Sequence, residues 1–132
     1  MKEELISFET AKLAKEVGFE CSVSSYYKNG KLKHKRFSTN VNGKEEQAIW
    51  DIFGFEIIAA PAQSLLQRWL REKYKLHIHI ADLGLCMWSF MITELSVDGT
   101  QSKGGDLGKK NYNTYEQALE AGLLEALKLI KT

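Results

Sequence analysis

Apolar residues recur along this chain with two different periods, and the changes of period mark its elements. Over 8–17, Thr10, Leu13, Ala14 and Val17 stand three and four apart, the spacing of one buried helical stripe. Ser7 is placed to accept a first-turn amide, and Gly18 supplies the left-handed residue that stops the helix. From Cys21 to Ser38 the pattern alternates about Asn29-Gly30, a dipeptide that tolerates positive φ at both central turn positions and predicts a hairpin. Centring the turn there pairs Tyr27 with Leu32, Ser25 with His34 and Val23 with Arg36. One face then holds Val23, Tyr27 and Leu32, and the other holds Tyr26, Lys28, Lys31, Lys33 and Lys35.

Ser38–Lys44 is polar and predicts a loop, Glu45–Phe53 a helical turn, and Phe55–Ala60 an apolar extended segment. Pro61 suits a first helical turn. Behind it Ala62, Leu65, Leu66, Trp69 and Leu70 form an apolar stripe, with Gln63, Gln67, Arg68, Arg71 and Glu72 expected outside. Lys75–Ala81 and Leu85–Leu95 predict a second hairpin around Asp82-Leu83-Gly84. Val97–Asn111, rich in Gly, Ser, Asp and Lys, predicts a mobile surface loop. In the last helix Thr114 and Gln117 fit a capping box, and Leu119, Leu123, Ala126, Leu127 and Ile130 share one face. The order α-ββ-α-ββ-α predicts one α+β domain over 1–132. Its helices should pack in a second layer on an antiparallel sheet built from the two hairpins.

Composition narrows the class without naming a function. The 132 residues are 44% apolar, enough for one ordinary core, and 18 Lys+Arg nearly balance 17 Asp+Glu. A net charge of +1 removes any whole-chain case for a polyanion partner and leaves only local patches. Two cysteines 65 positions apart (Cys21, Cys86) make neither a disulfide framework nor a complete zinc site. Met1–Ser7 lacks the apolar run of a secretory signal, and no stretch is long enough to span a bilayer. A cytoplasmic location without membrane contact is the expectation.

Two constellations carry candidate chemistry. The first is Lys28, Lys31, Lys33, Lys35 and Arg36, a strip without acids that could neutralise phosphates, with Tyr26 or Tyr27 to stack on bases. The second is His77-Ile78-His79, whose rings share a strand face. With the turn at Leu83-Gly84, His79 falls opposite Trp88 and His77 opposite Phe90. These four residues then form an interaction surface, or a face covered by Trp50–Phe55. The opposite face, Leu76, Ile78, Ile80, Met87 and Met91, is the expected core. A metal there would need a third ligand, for which only Asp82 and Cys86 are near, so no metal and no cofactor are expected. Gly104–Lys110 lacks the glycine spacing and the Ser/Thr of a phosphate loop, and no nucleophile motif occurs.

A wider pattern runs through Ser7-Phe8-Glu9-Thr10-Ala11-Lys12-Leu13-Ala14, then Ala60-Pro61-Ala62-Gln63-Ser64-Leu65-Leu66-Gln67-Arg68-Trp69-Leu70-Arg71-Glu72, then Tyr115-Glu116-Gln117-Ala118-Leu119-Glu120-Ala121-Gly122-Leu123. It resembles small proteins of unassigned activity encoded by bacteriophages and prophage-like elements of gut-type bacteria. This chain departs from them at 40–58, where it is longer. The resemblance implies a bacterial or phage context and transfers no catalytic residue. The expected function is a non-enzymatic protein-interaction or self-association module. The alternative is a nucleic-acid-binding accessory protein using Lys28–Arg36.

Overall fold

Local chemistry sets the ends of the first elements. The computed structural model describes residues 4–20, 23–39, 43, 54, 56–85, 87–96, 99–105 and 112–131, with 35–39 and 100–101 described for the backbone alone. Helix α1 (Phe8–Glu16) starts where Ser7 Oγ accepts the Thr10 amide and ends before Gly18 at φ 98°. It buries Thr10, Ala11 and Ala14. Strands β1 (Val23–Lys28) and β2 (Lys31–Thr39) meet across Asn29 and Gly30, which sit at φ 51° and 84°. Tyr27 pairs with Leu32 and Ser25 with His34 as the turn chemistry requires. A register irregularity between Val23 and Ser25 then moves Val23 opposite Thr39 instead of Arg36.

The apolar Phe55–Ala60 segment contributes β3 (Ile57–Ala59), which pairs with the free side of β1 and makes a sheet of order β2-β1-β3. Asn29 fastens that edge as well, since its backbone amide donates to Glu56 O while its side chain accepts the Glu56 amide, both at 2.8 Å. The predicted helical turn at 45–53 lies outside the described residues.

Helix α2 (Gln63–Tyr74) begins two residues after Pro61, which sits outside the helix instead of in its first turn. Pro61 O accepts the Ile6 amide and Gln63 N donates to Glu4 O, so residues 4–6 run alongside 61–63 like a short strand pair. Leu66 and Leu70 are fully buried, as the stripe predicts. Gln63 is not outside, however: only 4% of it is exposed. Gln67 is also turned in, and its amide caps Ile78 O at 3.0 Å.

Strands β4 (Leu76–Gly84), β5 (Met87–Ser96) and β6 (Gly99–Gly105) form a second sheet in that order. Thus each hairpin gains a third strand and lies in its own antiparallel sheet. β6 occupies much of the expected loop, because Thr100–Gly105 completes the free hydrogen-bonding edge of β5 despite having no apolar alternation. Helix α3 (Tyr115–Lys131) starts at Thr114, whose hydroxyl accepts the Gln117 amide at 3.1 Å. It touches β4, β5 and β6 as well as α1 and α2, and α1 in turn touches β3. The α+β class and the element order follow the sequence pattern, and helices do cover the sheets.

Helix α3 comes close to the second sheet at Gly122. A Cβ there would lie 2.7 Å from Ile78 Cγ2 and 3.2 Å from Phe90 Cδ2. Alanine in a helix interior gains ~1 kcal/mol over glycine. Overpacking against a stiff β-branched side chain costs about 1–3 kcal/mol. Gly122→Ala is therefore expected to lower the urea midpoint, with a net loss of up to ~2 kcal/mol; a raised midpoint would show that α3 has room to lift.

Candidate functional site

The lysine ribbon is built by the pleat of the first hairpin. Lys28 stands directly opposite Lys31, and Tyr26 opposite Lys33, so these four side chains occupy one face. Lys31 and Lys33 are exposed, whereas Lys28 and Tyr26 are half-buried. Tyr27 belongs to the other face and is not available for base stacking. Its hydroxyl donates to Ile6 O at 2.8 Å, and its ring meets Phe8 edge-on at 5.3 Å. Burial, with a smaller effect from Glu120, raises its phenol above the ordinary value. The side chains of Lys35 and Arg36 lie outside the described residues.

The proposed four-residue face on the second hairpin does not exist. His77 pairs with Thr93 and His79 with Met91, while Phe90 pairs with Ile80 and Trp88 with Asp82. The partner of His79 has thus moved three positions along β5, from Trp88 to Met91, and an odd shift exchanges the two faces. Two features cause it: the turn lies between Gly84 and Met87, with Gly84 at φ 81° and Leu85 at φ 52°, and a register irregularity between Asp82 and Gly84 makes the total shift odd. Phe90 is consequently a core residue, 2% exposed. Trp88 exchanges two backbone hydrogen bonds with Tyr112 and packs edge-on against Tyr115. Met87 and Met91, assigned to the core by the expected register, are exposed and half-buried respectively.

His77 and His79 do share a face, with ring centroids 4.2 Å apart. His79 Nε2 bonds Thr93 Oγ1 at 3.1 Å, while His77 Nδ1 is buried and has no hydrogen-bond partner. Burial pushes the His77 imidazole below the ordinary histidine value, and His79 and Arg71 push it the same way. Asp82 is committed to its own turn through the Gly84 amide. Cys86 and the covering segment 50–55, apart from Gly54, lie outside the described residues. Among the described residues no three His, Cys, Asp or Glu side chains converge as a metal site would require.

The periodicity of the chain did not reveal three other features. The first is a polar node on Glu120 of α3. One carboxylate oxygen accepts the Ser7 amide at 3.1 Å, the Ser7 hydroxyl at 3.0 Å and the Thr10 hydroxyl. The other accepts Gln63 Nε2 at 3.1 Å, and that amide also bonds Glu116 O. With Thr10 and Gln63 buried, this is a structural clamp and leaves little carboxylate free for chemistry. The second is a cleft of about 630 Å³ between β1 and α2 that contains Arg68 and Arg71. The third is the end of the β4–β5 hairpin, where Leu83 and Met87 are exposed and Leu85 is 90% exposed. The only sequence signal for the node and the cleft was the polar residues inside the α2 motif, and the three apolar residues beside Gly84 were the signal for the hairpin end.

No family model matches the chain, and no curated protein or solved structure is significantly similar to it. Among the described residues no helix is long and apolar enough to cross a membrane.

Proposed function

We propose that this chain is a non-enzymatic interaction module that self-associates through the end of its β4–β5 hairpin. The observation that carries this reading is Leu85, 90% exposed and held at φ 52°. A left-handed backbone costs a residue with a Cβ roughly 1–2 kcal/mol, and this leucine recovers nothing by burial within its own chain. Folding gives no reason for leucine at that turn, whereas an interface does. Burying the side chain against another surface contributes ~1.5–3 kcal/mol. Leu83 and Met87 flank it as a second apolar ring. A net charge of +1 puts little long-range repulsion between copies, which favours a second copy as the partner. A phage or prophage setting and a cytoplasmic location belong to the same proposal and rest on the sequence.

A second reading, nucleic-acid binding, is favoured by one observation: Lys28 and Lys31 are directly opposed. Lysines gathered on one strand face can neutralise successive phosphates.

Sedimentation velocity tests the first reading. The average mass of the natural chain is expected to rise with concentration, while Leu85→Asn, which suits the left-handed turn better, keeps its fold and stays monomeric. Identical sedimentation of the two would contradict the proposal. For the second reading, anisotropy of a labelled duplex should show affinity falling with salt at a log–log slope near −3, about −0.9 for each of three lysines. Lys28→Gln/Lys31→Gln/Lys33→Gln should abolish it, and no binding at ~50 mM salt would discard it.

A further inference from the structure

We infer that the cleft between β1 and α2 binds a phosphomonoester carrying a small apolar group. The cleft encloses about 630 Å³, the size range of small-molecule sites. Among the described residues its lining includes Arg68 and Arg71 and no Asp or Glu. The two arginines stand three apart on α2, where side chains are neighbours, and Ser64 lies one turn before Arg68 on the same side. Among the described residues neither guanidinium forms an ion pair. Two like charges three apart on a helix repel each other, and the described lining of the cleft offers them no carboxylate.

The other polar groups that could have answered this charge are already engaged. Gln67 is fixed on Ile78 O, and the Ser25 hydroxyl is fixed on His34 Nδ1 at 2.6 Å. What remains is a concave surface with paired planar donors on one wall. Guanidinium forks match the oxygens of a phosphate in bidentate fashion, and two of them match its second charge. Val23 and Leu65 complete the lining with apolar surface, which is why the ligand class is a phosphate ester with an apolar body. This site is separate from the lysine face of the first hairpin and from the apolar end of the second.

Phenyl phosphate is the probe, titrated at constant ionic strength into the full ¹⁵N-labelled chain. Saturable amide shifts are expected at Ser24, Ser64, Leu65 and Arg68. Arg68→Gln and Arg71→Gln should each weaken the fitted affinity at least about tenfold, the loss typical of a charged hydrogen bond. Circular dichroism of both variants should match the natural chain, since both arginines lie on the rim. Lys28→Gln/Lys31→Gln/Lys33→Gln should bind as the natural chain does, and phenol should shift nothing. Non-saturating shifts, shifts confined to Lys28–Lys33, equal binding by Arg68→Gln/Arg71→Gln, or saturation by phenol would each overturn the inference.

Discussion

The carboxylate of Glu120 is the contact that ties α1 and the first turn of α2 to α3. It accepts the Ser7 amide at the start of α1, where an anion also meets the positive end of the helix dipole. Through Gln63 it holds the first turn of α2, and it does both from α3. The tie extends outward on either side. Ile6, next to Ser7, donates to Pro61 O and accepts the Tyr27 hydroxyl from β1. Two residues beyond Glu120, Gly122 lets α3 close onto Ile78 and Phe90 of the second sheet. Among the described residues no strand pairing joins the two sheets, and the helices and this node join them.

That design explains why the conspicuous polar residues of the interior are structural. Thr10 and Gln63 are buried because their donors converge on one acceptor, and burying them without it would cost more than their packing returns. Residues free of this duty lie on the outside. They are the opposed lysines of the first hairpin, the arginines on the rim of the β1–α2 cleft and the leucine at the end of the second hairpin. The leucine carries a cost of backbone conformation that burial within its own chain does not repay.

The sequence is legible wherever structure is decided within a few residues. Ser7, Gly18, Asn29-Gly30 and Thr114 act on amides and turns one to four positions away, and each does what its chemistry predicts. The second hairpin misled because its turn contains Leu85 at positive φ, a residue with no turn preference, and a shift along β5 then exchanged the faces. β6 was hidden because Gly99–Gly105 has no apolar alternation and forms by completing the β5 edge. Gln63 and Gln67 looked external because their partners lie 53, 57 and 11 positions away. The Glu120 node spans 113 positions to Ser7, beyond the reach of any periodicity.

Native-state hydrogen exchange on Glu120→Ala tests this account most directly. Removing the carboxylate takes the shared acceptor from the buried Thr10 hydroxyl and from one hydrogen of the buried Gln63 amide, at a cost of up to about 3 kcal/mol. Amides of α1, α2 and the β2-β1-β3 sheet should lose protection together, because the node fastens all three to α3. Loss confined to the first turn of α1, with β1 and β3 as protected as before, would contradict it.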